Sequence, residues 1–314
     1  MFHDIAKVTE TGEEMRNNLL KGLGVVATIG IFLVLLAGVV VTQTDSGDGC
    51  GPVWPLCHGK LFPDEPTFET VIEYTHRLVT GIVGLIIVIF SFYAVFVYRK
   101  EKEVHLAAFG SLFFLVLQSA LGALAVVFGQ SSAVMALHFG FSLLSYAFVF
   151  ILTLQVFQLS KYGTLPSVPV SNPIRLAVLG LFILSYLVVY LGALITHTSS
   201  EGGCTGWPLC SGSFLLPDWS ASTVIHFSHR LSALLLLIFS AALMAHISRS
   251  YSSYPLFKNL TNGIFILVIA QIFSGGLLVL SQFNLYASIF HTFFVTLMFG
   301  LLCYTVLYVF RRPA

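Results

Sequence analysis

The sequence predicts an all-α integral membrane protein: eight transmembrane helices, arranged as two tandem four-helix bundles related by a pseudo-twofold axis. Three observations lead there. Of the 314 residues, 57% are hydrophobic and only 9% charged, where a soluble domain carries about 25% charged residues. Eight apolar runs each reach the length of about 20 residues that crosses a bilayer. The second half also repeats the first: Trp54-Pro55-Leu56-Cys57 recurs 153 residues later as Trp207-Pro208-Leu209-Cys210. A near-even balance of 15 basic and 14 acidic residues gives no sign of a nucleic-acid partner.

In chain order, the polar stretch 1–21 comes first. Its acids Asp4, Glu10, Glu13 and Glu14 interleave with bases, and no cleavage motif follows the apolar run. That is unlike a signal peptide, so the first run is expected to remain as an anchor. The expected helices span roughly 22–43, 70–98, 104–128 and 132–160 in a first bundle (22–160), then 174–197, 222–248, 259–281 and 285–310 in a second (174–314). They are helices because every backbone group must be satisfied inside lipid. Between the bundles, 161–173 carries Pro166, Pro169 and Pro173 and reads as a linker.

Charge placement sets the expected orientation. Lys7, Arg16, Lys21, Arg99, Lys100, Lys102, Lys161, Arg175, Arg249, Lys258, Arg311 and Arg312 all fall on one side, 12 of the 15 bases. The positive-inside rule makes that side cytoplasmic, with both termini on it. Lys60 and the acids Asp45, Asp48, Asp64, Glu65, Glu201 and Asp218 fall in the outer loops.

The chemistry gathers around a stretch that occurs twice, Glu73-Tyr74-Thr75-His76-Arg77 and His226-Phe227-Ser228-His229-Arg230. Each of its final histidines is followed 62 residues later by another, His76 by His138 and His229 by His291. Intramembrane histidines are costly and rare, so four in duplicated register ask for one explanation. Each pair sits about two turns from the outer end of its helices, the matched depth that two axial imidazoles on a heme iron need. Separate hydrogen-bonded histidines would not keep this register, and a zinc site would need further ligands. A bis-histidine heme cannot activate oxygen while both positions are filled. It is therefore an electron carrier, or a substrate gripped by its iron while its edge reacts.

The halves differ three residues before the first ligand, with Glu73 in one and His226 in the other. Glu73 shares a helix face with His76 and fits a catalytic acid or base beside a bound ring; an interfacial carboxylate favoured by the helix dipole is the plainer reading. Arg77 and Arg230 suit heme propionates or phospholipid phosphates equally. Cys50 and Cys57, and again Cys204 and Cys210, are close pairs in outer loops that can form disulfides. The first pair reads either as a loop staple or as a redox-active couple. Cys303 lies alone in the last helix and reads as core. His3, His105 and His246 fall at the cytoplasmic face, His58 has Ser211 as its counterpart, and His197 matches Gln43 and is expected to hydrogen-bond near the outer surface.

With Glu73-x-x-His76-Arg77, His138, the cysteine pairs and Trp-Pro-Leu-Cys in both halves, the chain resembles the heme A synthases, of the bacterial type with a cysteine pair in each half. The resemblance runs essentially the whole length. It implies oxidation of the C8 methyl of heme O, by two successive hydroxylations, to the formyl group of heme A. Carried over by position, His76 and His138 would ligate the substrate heme, with Arg77 beside it, and His229 and His291 a permanent heme b, with Arg230 beside it. Glu73 would be catalytic, Cys50–Cys57 would take part in the reaction, and Cys204–Cys210 would be a structural disulfide. Membrane lipid, a heme O synthase and an electron acceptor are the implied partners, and the bacterial cytoplasmic membrane the location. The competing readings are a membrane cytochrome b that only passes electrons from a quinone, and a heme carrier.

Overall fold

A computed structural model describes residues 2–64 and 66–311, with side chains from residue 12 onward. Glu65 and Arg312, and the side chains of His3, Asp4, Lys7 and Glu10, lie outside the described residues. Eight long helices follow one another: α1 Phe2–Gln43, α2 Phe68–Val97, α3 Lys102–Phe128, α4 Ser132–Tyr162, α5 Asn172–His197, α6 Ala221–Ser250, α7 Pro255–Leu280 and α8 Leu285–Phe310. All eight are long and apolar enough to span a membrane, and the protein is a multi-pass membrane protein.

The helix starts follow from capping chemistry, and the caps repeat. Thr67 and Ser220 accept from the backbone N–H groups of Thr70 and Thr223 at 3.2 and 3.3 Å, 153 residues apart in sequence. Ser131 and Asn284 do the same for Val134 and Ala287 at the same offset. Each such cap is worth about 1 kcal/mol. Two starts depart from the sequence expectation. α1 begins at Phe2 rather than near residue 22, because 2–21 holds no proline and one glycine to interrupt a helix. α7 begins at Pro255 rather than 259, because proline is well suited to the first helical turn.

Helices α1–α4 pack as one bundle and α5–α8 as the other. They meet through α4 against α5 and α8, and through α1 against α8. Under the pseudo-twofold, α1·α8 and α5·α4 exchange while α4·α8 maps on itself. The axis therefore passes between α4 and α8, the two most deeply buried of the eight helices. Tyr146, Val149 and Leu152 of α4 pack there with Phe299, Leu302 and Tyr304 of α8 in one core. These two central helices carry His138 and His291, one for each half.

At the end away from the cysteines, the expected linker is clasped rather than loose. Arg311, 7% exposed, donates from Nε to Glu103 at 2.8 Å and from Nη1 to the Pro166 carbonyl at 2.5 Å. Arg175 donates to the Val309 carbonyl at 3.0 Å, and Val168 and Val170 of the linker are buried. The C-terminal turn thus fastens α3 and the linker to α8. Arg311→Gln should remove these charge-assisted bonds and destabilise the protein by about 2–4 kcal/mol. Thermal unfolding in detergent checks this, and an unchanged midpoint would show that the clasp contributes nothing.

Candidate functional site

Each half offers the site two imidazoles, and helix packing decides where they sit. A cavity of about 1290 Å³ is lined by residues of both halves, including His76, His138, His229 and His291. The rest of its wall is largely aliphatic, with Val34, Leu35, Val188 and Leu236 among the lining. Behind each imidazole stands a glycine of the neighbouring helix. A Cβ added at Gly38, Gly122, Gly192 or Gly275 would lie 3.7, 3.2, 3.0 and 3.2 Å from Cε1 of His76, His138, His229 and His291. Both glycine pairs keep the repeat offsets, 154 for Gly38 and Gly192 and 153 for Gly122 and Gly275. That regularity is legible in the sequence; its purpose, room for a ring, is legible only in the fold.

Hydrogen bonds assign the ring nitrogens. His138 Nδ1 donates to the Gln118 carbonyl at 2.8 Å, and His229 Nδ1 to the Val188 carbonyl at 3.1 Å. A carbonyl only accepts, so the proton is on Nδ1 and the Nε2 lone pair is left for a metal. His291 Nδ1 reaches Ser274 Oγ at 2.9 Å, whose hydroxyl passes on to the Gln271 carbonyl at 2.9 Å. The Gln271 side-chain amide donates to His291 Nε2 at 3.0 Å. In the first half the equivalent Gln118 side chain is held elsewhere, its Oε1 accepting from Ser142 Oγ at 2.7 Å. His76 Nδ1 is buried with no partner. Orienting partners on three of the four Nδ1 atoms, an Nε2 without a protein partner on His138 and His229, and glycine clearance behind all four rings fit axial ligation of a large flat ring. For such ligation the Gln271 amide would have to leave His291 Nε2. No three His, Cys, Asp or Glu side chains converge as a metal-ion site among the described residues.

The loop after α1 is bound to α2 through the repeated motif. Glu73, 3% exposed, accepts from the Cys50 backbone N–H at 2.7 Å and pairs with Arg77. Arg77 Nη1 also donates to the Val53 and Leu56 carbonyls, each at 3.0 Å. In the second half, Arg230 donates to the Leu209 and Cys204 carbonyls at 2.8 and 2.9 Å, with His226 Nε2 at 3.3 Å. Both arginines therefore fasten a loop to a helix, a role neither propionate nor phosphate pairing had suggested. Glu73, Arg77, His226 and Arg230 all line the cavity as well.

Both cysteine pairs stand at disulfide distance, Cys50–Cys57 with Cα atoms 4.5 Å apart and Cys204–Cys210 4.6 Å apart. All four cysteines are buried, so thiol exchange at either pair requires the loop to move. His58 Nε2 donates to the Gly49 carbonyl at 3.0 Å, and Ser211 Oγ accepts from Thr205 N at 3.3 Å, so both residues brace their loops. His197 lines the cavity, and its carbonyl, not its ring, accepts Ser132 Oγ at 2.5 Å. Cys303 is free and buried in α8. Sequence reasoning had not assigned roles to Gln118, Ser142, Gln271 or Ser274. The shared offset of the two glutamines marked them, while the serines differ between the halves and left no such trace.

A duplicated helical bundle with two inward-facing histidines per half defines a multi-pass membrane protein whose cavity suits porphyrin-sized ligands. The chain belongs to the COX15-CtaA family of cytochrome oxidase assembly proteins, which matches residues 21–303. Among curated relatives, it is 42% identical over 302 residues to "Heme A synthase" of Geobacillus thermodenitrificans, covering 94% of each chain. It is 40% identical over 296 residues to "Heme A synthase" of Geobacillus kaustophilus, covering 93% of this chain and 92% of the relative. A third, "Heme A synthase" of Lysinibacillus sphaericus, is 38% identical over 304 residues, covering 94% and 96%.

The loop clasp is open to a direct check. Glu73→Ala should leave the Cys50 N–H and the Arg77 guanidinium without their acceptor, a loss of about 1.5–3 kcal/mol for a bond to a charged group. Reduction of Cys50–Cys57 by a small phosphine should then run at least tenfold faster, with Cys204–Cys210 unchanged. Equal rates in the variant and the parent would contradict the clasp.

Proposed function

We propose that this chain oxidises the C8 methyl of heme O to the formyl group of heme A by successive hydroxylations, supplying heme A to terminal oxidases. One observation carries the division of labour. The halves keep matching histidine pairs in one cavity but exchange Glu73 for His226 one turn before the first ligand. His76 and His138 grip the substrate by its iron and leave its rim against the aliphatic wall, which excludes water. Glu73 stands at that cavity with a carboxylate able to hold a proton near the rim, and the Cys50 N–H and Arg77 fix its position. The Cys50–Cys57 pair holds the loop that supplies this N–H, and its opening would free Glu73.

In the second half, His229 and His291 would hold heme b, which when bound supplies a one-electron relay. Arg77 and Arg230 keep N–H groups beyond those on the loop carbonyls for heme propionates. The placement of 12 of 15 bases supports an orientation with both termini in the cytoplasm of a bacterium and the cysteine loops outside. A heme O synthase that hands over substrate and a membrane electron acceptor are the partners this reaction asks for.

Pigment extraction tests the proposal. Cells that make heme O should accumulate heme A when they express the chain, and Glu73→Ala should cut that yield at least 100-fold, about 2.7 kcal/mol of transition-state stabilisation. Two protohemes per purified chain, no heme A and a silent Glu73→Ala would instead identify an electron-carrying cytochrome. Binding of heme O with no conversion would identify a carrier.

A further inference from the structure

We propose that His76 is the exchangeable axial ligand of the first-half heme, while His138 stays bound as its anchor. This rests on the reading above that each histidine pair grips a heme by its iron. An axial imidazole is oriented by the hydrogen bond from its second nitrogen, and loss of that partner typically weakens metal affinity by about 10- to 100-fold. Three of the four imidazoles have the partner: His138 on the Gln118 carbonyl, His229 on the Val188 carbonyl and His291 on Ser274. His76 does not, although its Nδ1 is buried.

The repeat shows what is missing. The counterpart of Val188, at the upstream offset of 154, is Val34. His229 reaches its valine carbonyl and His76 makes no such bond. His76 also stands further from the helix behind it, 3.7 Å from a Cβ at Gly38 against 3.0 Å for His229 and Gly192. Its seat on α1 is wider and carries no hydrogen bond.

The loops repeat the asymmetry. Trp207 rests on α7 at Gly276, where a Cβ would meet its indole at 2.9 Å. The matching position 123 is alanine, and Trp54 is 50% exposed against 37% for Trp207. The second half thus has two anchored ligands under a seated tryptophan. The first has one anchored ligand, one loose ligand and a more exposed tryptophan. A half that must take in heme O and give up heme A needs such a contrast. On exchange, the bond between iron and His76 Nε2 breaks with its electron pair returning to the imidazole, while the bond to His138 remains and no oxidation state changes.

Full-length protein loaded with hemin tests this without any variant. After reduction, carbon monoxide should bind one of the two hemes. Transfer of hemin to apomyoglobin should be biphasic, with phases separated by about 10- to 100-fold. In variants, His76→Gly should keep the first-half hemin with a high-spin spectrum that added imidazole returns to low-spin, and His138→Gly should lose that hemin. Single-phase transfer with no carbon monoxide binding would overturn the proposal, as would hemin retained in His138→Gly but lost in His76→Gly. If neither variant altered hemin content or spectrum, ligation by this pair would itself be wrong, an outcome distinct from a reversed order of the two ligands.

Discussion

One constraint shapes the structure: four imidazoles must be held inside an apolar bundle, each turned toward a shared cavity. A polar ring in lipid is costly unless its hydrogen bonds are met. Helices α1, α3, α5 and α7 meet the constraint with a glycine behind each ring, and three of them with a partner for Nδ1. The neighbouring helices α2, α4, α6 and α8 carry the rings. The duplicated bundle gives each half the same ring-and-backing pairs.

On that shared frame the halves have diverged in a consistent direction. The second half has a histidine pair with both Nδ1 atoms partnered and a tryptophan seated on α7. In the first, one ligand lacks a partner, and a buried carboxylate pairs with Arg77 beneath the cysteine loop. Under the proposed function, permanent binding would favour the arrangement of the second half and turnover that of the first. In the proposed reaction the first half gives up some affinity for exchange, and the loss would fall on a single hydrogen bond rather than on a missing ligand.

Much of this was legible in the sequence because it rests on periodicity. Eight apolar runs, the repeat offset and the four histidines follow from residue types at fixed spacings, and the helices appear where those spacings put them. The start of α1 was not legible, since polarity ends the membrane run but nothing in 2–21 ends the helix. The loop clasp was not legible either. Glu73 and Arg77 meet the Cys50 N–H and the Val53 and Leu56 carbonyls through the turn of the loop, and backbone groups carry no residue signature. The same holds for the missing bond of His76. Val34 and Val188 are the same residue type, and only the separation of the helices decides which carbonyl is reached.

If two equivalent frames hold unequal hemes, the pigment retained by each half reveals it. Protein purified from heme O-producing cells with both His76 and His138 replaced by alanine should keep heme b and lose heme O and heme A. Replacement of both His229 and His291 should remove heme b and leave heme O in the first half. The same mixture of pigments in both double variants would show that the two halves hold their hemes alike.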